Sequence, residues 1–120
     1  MELCCAAQLE AVSPLLRRGT ILEYKRVASI LARMTSLLRA AREDRWVEVV
    51  TDASSRVLSP WSTTQAAGLD IIRTFFGGMG SLQDLVFSEE AGNIPEGYSP
   101  DEANARFQAD LHELYRLIKR

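Results

Sequence analysis

Residues 75–87 read Phe-Phe-Gly-Gly-Met-Gly-Ser-Leu-Gln-Asp-Leu-Val-Phe and hold three of the chain's seven glycines within four positions. Because glycine readily adopts positive φ, this run predicts a helix that ends in a left-handed cap, followed by a sharp turn. Ser81 and Asp84 form an S-x-x-D pattern, in which Ser81 caps a short helix with Asp84 in its first turn. The predicted structural corner consists of Gly77, Gly78, Gly80 and Ser81. Alternatively, the exposed amides of this loop and Asp84 contact a ligand or partner.

The chain has the length and composition of one globular domain. A chain of 120 residues can bury roughly two thirds of its unfolded surface. Its 47% hydrophobic and 25% charged residues are close to the average for soluble domains. The start, Met1 to Ala11, lacks the pattern of a secretory signal. Cys4 and Cys5 are the only cysteines, and because adjacent cysteines rarely pair, we expect a reducing, cytoplasmic location.

Apolar residues recur every three or four positions, which predicts an all-α, single-domain bundle of about five helices. The expected helices span Glu2 to Val12, Thr20 to about Arg42, Glu43 to about Leu58, about Thr63 to Phe76, and Pro100 to the C terminus. Gly19 is expected to end the preceding turn, so that residues 1–19 form an extension or short helix before a helical domain of residues 20–120. After the glycine-rich corner, Leu82 to Phe87 fits either a short helix or a strand.

Two stretches carry the sequence pattern of a capping box, which marks a helix start. Ser62 to Gln65 is the first, and Ser99-Pro100-Asp101-Glu102 is the stronger, with proline at the first helical position. Between the corner and the second box, Ser88 to Ser99 contains two glycines and a proline. We expect an exposed loop there, because a loop of about a dozen residues without structure is often functional or mobile.

Charge is divided unevenly along the chain. The segment from Arg17 to Arg45 contains eight basic and three acidic residues. The segment from Asp84 to Glu113 contains eight acidic residues and one basic residue. This pattern fits two surfaces that complement each other within the fold, a surface that steers a charged partner, or simply solvated faces.

Few residues suited to catalysis are present. The chain has one histidine, His112, which we expect on the polar side of the last helix, and no lysine follows the glycine run as a phosphate loop requires. Asp70, Asp84 and the pair Glu89-Glu90 do not match the spacing of a calcium loop. We therefore predict no enzymatic activity, no metal site and no cofactor.

The order of motifs resembles a family of small bacterial proteins catalogued as a domain of unknown function. The resemblance runs from about Val27 to Phe87, through Glu43-Asp44-Arg45-Trp46 to the glycine motif, whose hallmark is FGGMGS followed by an aromatic residue or Leu and then N-D-L-V. Gln83 stands where asparagine is usual, and residues 1 to about 19 have no counterpart. The resemblance implies no activity.

Small cytoplasmic helical proteins of this kind are often immunity proteins, which bind a cognate toxin through a complementary and commonly acidic surface. We therefore predict a protein partner, a toxin domain with a basic surface. The expected contact residues are Trp61, Asp84, Glu89, Glu90, Asn93, Glu96, Tyr98, Asp101 and Glu102. One alternative is a self-associating structural or regulatory protein, with the N-terminal helix and Trp61 at a homodimer seam. The other is a nucleic-acid-binding protein that uses the basic segment Arg17–Arg45.

Overall fold

The computed structural model describes the backbone of residues 14–118 and the side chains of residues 24–118. Within that part the chain is all-α, as predicted, and has no strand. Four helices form it: α1 (Pro14–Ala40), α2 (Asp44–Val57), α3 (Ser62–Thr74) and α4 (Pro100–Ile118), with a 3-10 turn at Leu82–Asp84. The further helix expected over Glu2 to Val12 lies outside the described residues.

Helix α1 is the central element of the fold. It packs against α2 and against α4, and α2 also packs against α3. The backbone of α1 is helical through Gly19, so the prediction that Gly19 ends a helix was wrong. A glycine lowers helix propensity by about 1 kcal/mol but keeps its backbone hydrogen bonds, so a long helix tolerates one.

The hydrophobic core combines the apolar stripe of α1 with one face of each other helix. The buried apolar residues of α1 follow the spacing of three and four that predicted the helix: Val27, Ala28, Ile30, Leu31, Met34, Leu37 and Leu38. The largest fully buried side chains outside α1 are Phe75, Phe87, Phe107, Ile72, Leu82, Leu114 and Val50. Phe76 and Tyr115 meet edge to face at 5.2 Å between ring centroids, which joins the segment after α3 to α4.

The turn between α1 and α2 is a Schellman motif built without glycine. Arg42 adopts φ +63°, and the Glu43 amide donates to the Leu38 carbonyl at 3.0 Å while the Arg42 amide donates to the Arg39 carbonyl at 3.1 Å. This bonding pattern ends a helix and satisfies its last carbonyls. Glu43 precedes α2 at the N-cap position, but its side chain makes no cap hydrogen bond there.

Helices α2 and α3 approach closely at Gly68. A Cβ atom on Gly68 would lie 2.9 Å from the Arg56 Cβ and 3.0 Å from the Val57 amide nitrogen, so only glycine fits without movement. The capping box predicted at Ser62 does not form, because α3 begins at Ser62 itself and Trp61 holds the N-cap position without a side-chain bond. Gln65 instead donates to the Val57 carbonyl at 3.5 Å.

Helix α3 does not end in the left-handed glycine cap that the sequence predicted. The amides of Phe75, Phe76 and Gly77 each make an i→i−3 backbone hydrogen bond, and positive φ occurs at Gly78 (+98°) and Gly80 (+82°), not at Gly77. Ser81 does not cap the 3-10 turn. Its hydroxyl donates to the Gly78 carbonyl, and the Asp84 carboxylate accepts from the Gly80 amide at 2.9 Å.

Helix α4 begins as predicted. The Glu102 amide donates to the Ser99 hydroxyl at 3.1 Å, and the Ser99 amide donates to the Glu102 carboxylate at 3.5 Å. This reciprocal pair is the capping box that the sequence indicated.

Candidate partner-binding surface

Six of the predicted contact residues are exposed carboxylates on or next to the loop between the 3-10 turn and α4, and four of the six have no bonding partner within the described residues. These four are Glu89, Glu90, Glu96 and Asp101, here called the acidic loop surface. None of them has an ion pair or a side-chain hydrogen bond within residues 24–118. Their charge is therefore available to a ligand or partner.

Asn93 was predicted as a contact residue, but it is only 5% exposed. Its Oδ1 accepts from the Ser88 amide at 2.9 Å, while its Nδ2 donates to the Val86 carbonyl at 3.2 Å and to Glu43 Oε2 at 2.9 Å. Those three bonds lie within the fold. Asn93 therefore fastens the loop to the α1–α2 turn and presents little surface of its own.

Asn104 on α4 has a similar role, which the sequence analysis missed. Its Oδ1 accepts from the Phe87 amide at 2.8 Å, and its Nδ2 donates to the Phe87 carbonyl at 3.0 Å. One signal was available in the sequence: Asn104 lies three residues before Phe107 and seven before Leu111, on the apolar stripe of α4. A polar amide on such a stripe needs partners, since buried polar groups are hydrogen-bonded.

Three further predicted contact residues are partly engaged within the chain. Asp84 binds the Gly80 amide and Glu102 completes the capping box of α4. Tyr98 is half-buried, and the guanidinium of Arg106 lies 5.8 Å from its ring centroid. These side chains shape the ends of the loop.

Trp61 is 69% exposed at the turn between α2 and α3, and Leu58 beside it is 58% exposed. Within residues 24–118, no hydrogen bond or ring contact links the Trp61 side chain to the acidic loop surface. In the described part of the chain, no such contact therefore joins Trp61 and the carboxylates into one site.

Part of the charge asymmetry is neutralised inside the fold. Arg26 binds Glu113 at 3.0 Å, and Arg33 binds Asp110 at 3.0 Å and Glu113 at 3.4 Å, all between α1 and α4. Asp110 and Glu113 are therefore not part of the available acidic surface. The same pairs occupy two cations of the basic segment, which weakens the nucleic-acid alternative.

His112 lines an open groove of about 470 Å³ on α4, and its side chain is exposed, as expected. The other lining residues are Phe76, Gln83, Gln108, Leu111 and Tyr115. Among residues 24–118, no carboxylate or cysteine lines this groove. Within the described residues, no group of His, Cys, Asp and Glu side chains could hold a metal ion, and no helix has the apolar length to cross a membrane.

Residues 39–96 match the family model of a domain of unknown function, DUF6966. The matched region runs from the end of α1 through α2, α3 and the glycine run into the loop before α4. It includes both Glu43 and Asn93. Most of α1 and all of α4 lie outside it. Comparisons with curated proteins and with solved structures find no match.

Proposed function

We propose that this chain is a non-enzymatic binding protein, an immunity protein that acts in the cytoplasm and neutralises a cognate bacterial toxin by direct contact. The observation that carries the proposal is the acidic loop surface, Glu89, Glu90, Glu96 and Asp101, whose charges have no ionic partner within residues 24–118. A toxin domain with a basic surface has the complementary charge.

Two physical features support this proposal. Complementary charge speeds the encounter of two proteins and selects the correct partner. The loop is also held by the side chains of Asn93 and Asn104, so less conformational entropy is lost on binding than with a free loop. The contact residues of the proposed surface are accordingly the four carboxylates. Asn93 makes no contact with the partner in this proposal but holds the main chain of the loop at Ser88.

The test is co-expression with the toxin domain encoded by the neighbouring gene. We expect the wild-type chain to rescue growth and to bind the purified toxin with an affinity that falls as salt rises. Glu89→Gln/Glu90→Gln should weaken binding by about tenfold or more, because two exposed carboxylates are lost from the interface. Asp52→Asn/Asp70→Asn is the control for net charge, since it neutralises two exposed acids on α2 and α3 that pair with Arg56 and Arg73, and it should leave affinity unchanged.

Failure of the wild-type chain to rescue cells from the adjacent toxin would reject the proposal. Equal weakening by the loop variant and by the control would reject the assignment of the surface.

Self-association is a second candidate, favoured by the exposed apolar pair Leu58 and Trp61 at one turn. Exposed tryptophan is enriched in binding hot spots. Light scattering at micromolar concentration decides this candidate, and Trp61→Ser should convert a dimer to a monomer. A wild-type chain that is monomeric rejects it. The N-terminal helix proposed for the same seam lies outside the described residues.

A further inference from the structure

We infer that Asn93 and Asn104 are positioning residues for the acidic loop surface, and that Asn93 acts through Glu43, which couples the α1–α2 turn to that surface. The relevance of this coupling to binding rests on the proposed function. The coupling itself is a property of the isolated chain and is tested without a partner.

The first step concerns the main chain of residues 86–88, which belongs to no helix or strand. In extended backbone, the amide and carbonyl groups of successive residues point to opposite sides. Asn93 binds the Val86 carbonyl and the Ser88 amide, and Asn104 binds both groups of Phe87. These four bonds follow the pattern that an extended segment makes with a neighbouring strand on each side, and here the two side-chain amides supply it.

The second step links this segment to the carboxylates. The Ser88 carbonyl accepts from the Gly92 amide at 3.1 Å, and the Ser88 hydroxyl accepts from the Ala91 amide at 3.1 Å. This tight turn carries Glu89 and Glu90. Because Asn93 holds the Ser88 amide, the turn that orients both carboxylates depends on the Asn93 side chain.

The third step extends the link to Glu43. Its carboxylate accepts from Asn93 Nδ2 at 2.9 Å, across fifty positions of sequence. Glu43 itself is fixed by the Schellman turn, in which its amide binds the Leu38 carbonyl. The bond is directional: Asn93 donates and a carboxylate can only accept, so the pair fails if residue 93 loses its NH₂ group.

This directionality gives a sharp test by amide hydrogen exchange on the full chain. Asn93→Asp keeps an acceptor for the Ser88 amide but sets a carboxylate beside Glu43. We expect the Ser88 and Ala91 amides to exchange about tenfold faster or more, because the loop opens locally. Glu43→Gln/Asn93→Asp supplies a donor from residue 43 and should recover part of the protection, since the bond from residue 93 to the Val86 carbonyl is still lost.

Glu43→Gln alone is the matched control and should leave the loop close to wild type, since a glutamine oxygen still accepts from Asn93. The core amide of Leu114 reports on global unfolding and should exchange more slowly than the Ser88 amide in all four chains, so that faster exchange at Ser88 is assigned to local opening. If the double variant exchanges at Ser88 as fast as Asn93→Asp, or if Asn93→Asp exchanges as slowly as wild type, the coupling is rejected. Should Asn93→Asp fail to fold, the double variant must fold for the inference to stand.

The two proposals fail separately. Slower exchange in the double variant than in Asn93→Asp, together with no toxin rescue by the wild-type chain, retains the coupling and rejects the immunity function. Rescue by the wild-type chain, with unchanged toxin affinity in a folded Asn93→Asp variant whose loop exchanges fast, retains the function and rejects the positioning role.

Discussion

Asn104 forms two hydrogen bonds with the main chain of Phe87, accepting from its amide at 2.8 Å and donating to its carbonyl at 3.0 Å. The ring of Phe87 also packs edge to face on Phe107, with 5.4 Å between centroids. One residue of the loop is therefore attached to α4 by both its main chain and its side chain.

Asn104→Ala should lower the free energy of unfolding by about 2–4 kcal/mol, because two main-chain groups lose their partners. Asn104→Asp is the control: it can still accept from the Phe87 amide and should lose about half as much. Urea denaturation followed by circular dichroism measures both. An Asn104→Ala variant within about 0.5 kcal/mol of wild type would show that water replaces the amide without loss.

Arg42→Gly should raise the free energy of unfolding by about 0.5–1 kcal/mol. Arg42 has φ +63°, a conformation that strains side-chain-bearing residues but not glycine. Arg42→Ala tests the cause, since it removes the charge and keeps the strain, and should be near neutral. A gain in the alanine variant as large as in the glycine variant would assign the effect to charge instead.

Gly68→Ala should lower the free energy of unfolding by about 1–2 kcal/mol, although alanine is the better helix former. The new methyl group would lie 2.9 Å from Arg56 Cβ and close to the backbone of Val57, so α2 and α3 must move apart. Ala66→Gly, at an exposed position of the same helix, measures the difference in helix propensity between alanine and glycine without a packing change, and should cost about 1 kcal/mol. Stabilisation by Gly68→Ala would mean that the two helices separate at no cost.

Gly78→Val should destabilise the chain and lead it to unfold or aggregate, because a β-branched residue at φ +98° is strained. A Cβ there meets nothing within 4 Å, so the effect comes from the backbone alone. Gly78→Ala should therefore lose about 1–2 kcal/mol, and Val more. Thermal melts of the two variants check this order. Equal melting temperatures for wild type and Gly78→Ala would contradict it.

A double-mutant cycle of Arg33→Gln and Asp110→Asn should give a favourable coupling of roughly 0.5–1 kcal/mol at low salt, since Arg33 is half exposed. The coupling should shrink as salt is added, because the exposed side of the pair is screened. The Arg56–Asp52 pair within α2 is a suitable comparison, with both partners exposed. Zero coupling for Arg33 and Asp110 would mean that the charge balance between α1 and α4 is incidental.

Local signals in the sequence predicted the parts of this fold that depend on neighbouring residues. The apolar repeat of α1 and the capping box at Ser99 depend only on positions three or four apart, so both could be read directly. Ser62 to Gln65 shows the limit of the same reasoning, because Gln65 instead binds the carbonyl of Val57 on the preceding helix. That choice depends on tertiary packing.

The candidate site was less predictable for the same reason. The composition of residues 88–99 predicted an exposed loop, and the four carboxylates are exposed. Asn93 was wrongly predicted as a contact residue, because polar loop residues are usually solvated and this one is buried. Its bond to Glu43 spans fifty positions, and no local pattern encodes it. The ion pairs of Arg33 with α4 likewise depend on how the two helices pack, which the sequence pattern of neither helix encodes.

Met79 protrudes from the glycine run with 98% of its surface exposed, whereas Met34 is wholly buried in α1. A mild peroxide treatment would therefore convert the Met79 thioether to the sulfoxide and spare the Met34 side chain. Oxidation of Met79 can therefore report on partner binding. Slower sulfoxide formation at Met79 in a complex than in the free chain would show that the partner covers the glycine run.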